Sequence, residues 1–145
     1  MSKDDSFDVQ DFLPYLLNQA AEEGSLGFQT VYKERYGLLR TEWRVLFHLG
    51  IYGQMTATEI GTRARIHKTK VSRAVQKLND RRFVERSRSD SDRRVEWLHL
   101  TAAGMSAYND LSAIAQSYDA ALQARFCEAD IVVFKRVLRH LARLD

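Results

Sequence analysis

In the decapeptide KTKVSRAVQK, residues 68–77, and the Leu78 that follows it, apolar residues recur at helical spacing. Val71, Ala74, Val75 and Leu78 fall at i, i+3, i+4 and i+7, which predicts one buried helix face. Placed at steps of about 100°, the opposite side presents Thr69, Arg73 and Gln76, flanked by Lys70, Ser72 and Lys77. Such side chains suit base edges in the major groove of duplex DNA: Arg bonds bidentately to guanine, Gln to adenine, and Ser or Thr to either base or phosphate. Lysines at the margin suit phosphates, which orient a helix without reading sequence. Taken alone, however, a cationic helix face is usually only a solvated one.

The surroundings strengthen the chemistry. From Arg63 to Arg94 the chain carries 12 Lys and Arg against 4 Asp and Glu, a net of +8. The whole chain sums to +3, so the remaining residues sum to −5 and the basicity is local. Just before the decapeptide, Thr56 and Glu59 have the spacing of a capping box and predict a short helix. That helix, a tight turn through Ile66 and the helix of residues 68–78 make a helix-turn-helix whose second helix would enter the groove. After it, FVERSRSDSDRRVEWLHLT reads as a β-hairpin, with strand-forming Val84 on one side and Val95, Trp97, Leu98 and Leu100 on the other. Its arginines, Arg86, Arg88, Arg93 and Arg94, could follow the DNA backbone or enter a narrow minor groove. Asp90 and Asp92 would repel phosphate, so one of them, Asp92 first, is expected to pair with a neighbouring arginine.

Flanking helices must hold this unit. A long first helix is expected around Pro14, Leu16, Leu17, Ala20 and Ala21, with a bend or break at Gly24 and Gly27. A second is expected with Thr41 as its cap and Gly50 as its stop. Thr101 should cap a fifth helix, and a sixth should start near Glu128. The order is four helices, a hairpin and two helices.

At 145 residues and 45% hydrophobic content the chain is expected to form one domain with a real core. It contains no apolar run approaching the roughly 20 residues of a membrane span, and its first residues lack the form of a secretory signal, so a cytoplasmic protein that makes no membrane contact is expected. One cysteine, Cys127, and the scattered His48, His67, His99 and His140 supply neither a disulfide nor a metal-ligand spacing. No metal and no cofactor are expected. Without a Gly-rich phosphate loop or a nucleophile paired with a base, no enzymatic activity is expected either.

Three stretches together, TEWRVLFHLG, MTATEIGTRARIHKTKVSRAVQKLNDRRFVER and SDSDRRVEWLHLTAAG, resemble the MarR family of bacterial winged helix-turn-helix transcription regulators. The resemblance implies a mainly α fold with a small β-hairpin wing, in which a winged-helix core (38–101) joins N- and C-terminal dimerisation helices (8–36 and 102–145) within a single domain (1–145). It implies a homodimeric repressor on a pseudo-palindromic operator in double-stranded DNA. Carried over by position, the recognition helix would use Lys68, Thr69, Lys70, Ser72, Arg73, Gln76 and Lys77. In the wing, Arg93 would enter the minor groove beside Arg86 and Arg88, while Asp92 and Arg94 form a structural pair. His67 departs from the pattern: relatives often have a small capping residue there, and histidine is a poor cap. Either Thr69 or a DNA phosphate is then expected to serve that helix end.

A dimer is expected from the residues as well, because Phe12, Leu13, Leu16 and Leu17 at one end and Phe134, Leu138 and Leu141 at the other form apolar sides that pairing would bury. The resemblance also implies a small aromatic or anionic effector, for which Tyr32, Tyr36, Trp43, Arg44, His48 and Tyr52 are the candidate lining. Cys127, between the last two helices, reads as a buried or linker thiol. The competing reading is a winged-helix interaction module that docks on an acidic protein partner, which salt and sequence dependence would distinguish.

Overall fold

The computed structural model describes residues 6–144; residues 1–5 and 145, inside the expected domain limits, lie outside the described residues. After a 3-10 turn at Val9–Asp11, the chain forms α1 (Leu13–Tyr36), α2 (Arg40–Tyr52), β1 (Met55–Thr56), α3 (Ala57–Ala64) and α4 (Lys68–Asp80). The wing strands β2 (Val84–Arg88) and β3 (Glu96–Leu100) follow, and then α5 (Ala102–Gln123) and α6 (Glu128–Ala142). The sheet is antiparallel in the order β1-β3-β2, with Val84 opposite Leu100, Arg86 opposite Leu98 and Met55 opposite Leu98 on the other edge. The sequence reading lacked β1. A two-residue strand has no period, and its partners lie more than forty residues away.

The core sits where α2, α3, α4, the sheet and α5 converge. Leu46, Ile60, Leu78, Val84 and Leu111 are fully buried there. From α4 the expected residues Val71, Ala74, Val75 and Leu78 all turn inward. Burying a Val or Leu contributes about 1.5–3 kcal/mol, so this stripe fixes the helix's rotation. Behind it, Tyr32 stacks on Trp43 at 5.8 Å and Phe28 meets the same indole edge-on at 5.0 Å, joining α1 to α2. At the end of α1, Tyr36 donates to Asp110 of α5 at 2.6 Å.

Caps at two helix starts follow the sequence. Thr56 Oγ1 accepts from the Glu59 amide at 3.1 Å while Glu59 accepts from the Thr56 amide, and Thr101 Oγ1 accepts from the Gly104 amide at 3.0 Å. Three expectations are corrected. α1 is unbroken at Gly24 and Gly27: these positions admit a ring from α5, because the Tyr118 hydroxyl donates to the Gly24 carbonyl at 2.6 Å and a Cβ on Gly27 would stand 2.8 Å from that ring. α2 begins at Arg40 with no side-chain cap, so Thr41 lies inside its first turn. It also passes through Gly50 and stops at Gly53, whose φ of 77° ends the helix, whereas Gly50 lies against Tyr108. Both helices keep glycine for close packing, a need invisible to propensity.

Along α6 no residue is buried, and Val132, Val133, Phe134, Val137 and Leu141 are all exposed. Among the described residues no helix is long and apolar enough to cross a membrane.

The two kinds of glycine separate experimentally. Gly50→Ala places a methyl 2.4 Å from the Tyr108 ring and should destabilise by about 1–3 kcal/mol. Gly24→Ala meets open space and should stabilise by about 0.5–1 kcal/mol through helix propensity. Chemical denaturation of the two variants checks both signs.

Candidate nucleic-acid interface

Local structure explains the exposed face of α4. Arg65 closes α3 in the left-handed region at φ 56°, and the buried Ile66 anchors the turn, its amide donating to the Gly61 carbonyl at 3.0 Å. His67 then caps α4 itself: its extended backbone places Nδ1 3.2 Å from the Thr69 amide, which donates to it. This corrects the expectation that Thr69 or a phosphate must serve the helix end. Nδ1 stands in the position of an asparagine side-chain oxygen, and it can accept there only while unprotonated.

All seven expected recognition residues, Lys68, Thr69, Lys70, Ser72, Arg73, Gln76 and Lys77, are exposed on α4. Beside them runs a crevice of about 310 Å³ between α3 and α4, which Lys68 and Ser72 line together with Thr58 and Thr62. Those two threonines escaped the sequence reading. Their i, i+4 spacing on the capped helix was the available signal.

The basic residues divide by what they touch. Arg81 reaches back to α1, donating to the carbonyls of Tyr36 and Gly37, the latter at 3.0 Å, so it closes a helix end. Arg86 donates to Gln76 Oε1 at 2.9 Å and approaches Glu96 at 3.7 Å. Arg88 donates to the Arg93 carbonyl at 2.8 Å across the wing tip. Arg94 meets Asp92 through Nε at 3.1 Å and Nη2 at 3.4 Å, and its amide donates to the same carboxylate at 3.0 Å. Those bonds, the side-chain ones first, hold the Asp92 carboxyl below the usual carboxylate range. Among the described residues, Lys68, Lys70, Arg73, Lys77 and Arg93 have side chains that make no hydrogen bond or ion pair within the chain. Lys70, Arg73 and Lys77 lie along one side of α4, Lys68 stands in its first turn toward α3 and Arg93 is in the wing, while the side chains of Arg65 and Arg82, before and after α4, likewise make no hydrogen bond or ion pair.

Several of the six residues expected around an effector are engaged within the fold. Tyr32 is buried on Trp43, and burial pushes its hydroxyl pKa up. Tyr36 is held by Asp110, a bond that raises its pKa and lowers that of the carboxyl. The Arg44 side chain bonds the Ala64 carbonyl, and His48 Nδ1 lies 2.6 Å from the Arg44 carbonyl. Tyr52 alone of the six lines the largest described cavity, a cleft of about 580 Å³ beside Thr58 and Thr62, with Arg63 3.9 Å above its ring. Aromatic packing between α1 and α2 uses Tyr32 and Trp43 of these six.

A helix-turn-helix with an apolar-backed exposed helix, a three-stranded sheet and a basic hairpin defines a winged-helix DNA-binding domain. Residues 36–95 match the MarR family. The chain is 27% identical over 106 residues to the uncharacterised HTH-type transcriptional regulator YwoH of Bacillus subtilis, covering 73% of this chain and 77% of that one. It superposes on the MarR family transcriptional regulator SPO1453 of Silicibacter pomeroyi with a TM-score of 0.83 and 29% identity, over 96% and 98% of the two chains. A MarR mutant from E. coli complexed with operator DNA shares the fold at a TM-score of 0.82 and 16% identity, over 94% and 98%. Over residues 36–95 in sequence, and over nearly its whole length in fold, the chain is similar to the MarR family of winged-helix transcription regulators.

An NMR titration tests the wing tie. Because the folded Asp92 carboxyl is lowered, its bond to Arg94 is complete above the ordinary carboxylate range and is lost as pH falls through the lowered value. The Arg94 amide resonance should therefore hold still near neutrality and move only in acid, and in Asp92→Asn that acid transition should vanish.

Proposed function

We propose that the protein is a homodimeric repressor that binds a pseudo-palindromic operator, with α4 in the major groove and the wing in the adjacent minor groove. The observation that carries this reading is the pattern of uncompensated charge: Lys68, Lys70, Arg73 and Lys77 stand free on α4, and Arg93 stands free in the wing. Arg73, near the middle of that face, is assigned to guanine, with Thr69 beside it. Lys70 and Lys77 at the margin are assigned to phosphate. Arg86, Arg88 and the Asp92–Arg94 pair shape the finger that carries Arg93.

Support for the dimer comes from the ends of the chain. Phe12, Leu13 and Leu16 on and before α1, and Phe134, Val137 and Leu141 on α6, are exposed apolar side chains with no cover in one protomer. Contiguous patches of this kind mark interaction sites. A two-fold pair would set its recognition helices about 34–36 Å apart, one turn of the duplex. Release by a small aromatic or anionic effector, with Tyr32, Tyr36, Trp43, Arg44, His48 and Tyr52 as its candidate lining, belongs to the same reading. That part of the reading rests on what a second chain adds between the helical ends and the winged helix.

Selection from random duplexes at near-physiological salt should enrich an inverted repeat with half-sites one turn apart; an unenriched pool would favour the protein-docking module instead. On the selected duplex, Arg73→Ala should cost about 1–3 kcal/mol and relax one base position, whereas Lys77→Ala should weaken all duplexes alike and reduce the salt slope by about 1. Sedimentation should give twice the 16.8 kDa mass of the chain, and Phe134→Asp should yield monomers that no longer bind the repeat.

A further inference from the structure

Gln76 lies on the exposed face of α4, where its amide would be expected to read adenine. That task needs both of its polar atoms, the oxygen accepting from adenine N6 and the nitrogen donating to N7. Both are already engaged. Oε1 accepts from Arg86 Nη2 at 2.9 Å, and Nε2 donates to Asp80 Oδ1 at 2.8 Å, one helical turn further along.

Arg86 is placed for this by the pleat of β2. Val84, two residues earlier on the same strand face, is fully buried, so Arg86 leaves the sheet on the side that faces α4. Asn79 of α4 donates to the Val84 carbonyl at 3.0 Å, a second link between the same two elements. Across the hairpin, Arg88 lies opposite Glu96, which makes Glu96 the diagonal neighbour of Arg86. Their closest charged atoms are 3.7 Å apart. One guanidinium thus touches α4 through Gln76 and β3 through Glu96, from its own strand β2.

We propose that Gln76 and Arg86 form a strut between the recognition helix and the wing, and that Gln76 is a positioning residue rather than a reader of bases. The strut sits near the root of the finger that carries Arg93. At about 3.3 Å per residue, the tip extends roughly 15 Å beyond Arg86. A tilt of about 10° at the root would therefore move the tip by about 2.5 Å, close to half the roughly 6 Å width of a minor groove. The strut sets how far from the half-site the wing meets DNA, and hence which flanking position the protein discriminates. This inference rests on the DNA-binding reading above, except for the mechanical link itself.

The test uses the full chain with Gln76→Ala, Arg86→Ala, the double variant and Gln76→Glu. In the free protein, hydrogen exchange at the Ser89 and Val95 amides, which bond to the Val95 and Asp92 carbonyls in the wing, reads the strut without DNA. Each alanine variant should speed that exchange roughly three- to tenfold, with the double variant no faster than the worse single one. On the selected duplex, the same variants should blur preference at flanking positions and leave the ranking of half-site bases intact. Gln76→Glu keeps an acceptor for Arg86, so it should weaken all duplexes through its charge without changing that ranking. A shift from adenine toward cytosine at one half-site position in Gln76→Glu would mean that Gln76 reads a base, and the proposal would be wrong. Unchanged exchange in the alanine variants would also overturn it, whatever the DNA result. A wild-type protein that selects no duplex would remove the regulator reading and the flank effect together, while the exchange measurement still decides whether the strut holds the wing.

Discussion

Everything on the binding side of this molecule depends on the burial of one narrow stripe, Val71, Ala74, Val75 and Leu78, beneath α4. The stripe is only a few side chains wide, yet turning it away from the core would expose two valines and a leucine at about 1.5–3 kcal/mol each. No hydrogen bond on the outer face has comparable strength. Rotation of the helix is therefore set from inside, and Thr69, Arg73 and the lysines face outward as a consequence. The same packing carries Val84 beneath the helix and so roots the wing against it.

Electrostatics divides the basic segment into two populations. Twelve cations within 32 residues would repel one another if all stood free, but several are engaged inside the fold. Arg81 closes the end of α1, Arg88 ties the wing tip, and Arg94 is matched by Asp92. These contacts are exposed or nearly so, and each is worth little to global stability. Their effect is geometric: they give a short hairpin a defined shape, which two strands in water would hold poorly by themselves. Charge left over after this internal matching lies on α4, at Arg65 and Arg82 beside it, and at Arg93 in the wing.

The helical ends obey a different constraint. α1 is drawn onto α2 and α5 by Phe28, Tyr32, Trp43 and Tyr118, and Gly27 permits the close approach. Among the described residues α6 buries no side chain. Its apolar side leaves Val132, Phe134, Val137 and Leu141 exposed to water. The winged-helix core, by contrast, closes around its own buried residues.

Local signals in the sequence were sufficient for most elements. Helical periodicity located α4 and its buried face, the Thr56–Glu59 spacing located the start of α3, Thr101 marked the start of α5, and the Ser and Asp cluster between strand-forming residues located the wing. Each depends on residues close together in the chain, where spacing translates directly into geometry. What tertiary structure decided involved distant partners. Gly27 and Gly50 looked like a break and a stop because propensity counts only the helix they sit in, whereas Tyr118 and Tyr108 made them contact points. Tyr32 and Trp43, set aside for a ligand, were absorbed into packing between α1 and α2, and Tyr36 into its bond with Asp110. The partners of Gln76 and Arg86 came from two elements brought together by the burial of Val84. A sequence determines which side chains are available and which face of a helix they share; whether a polar atom is free to meet DNA depends on what the rest of the fold has placed within about 3 Å of it.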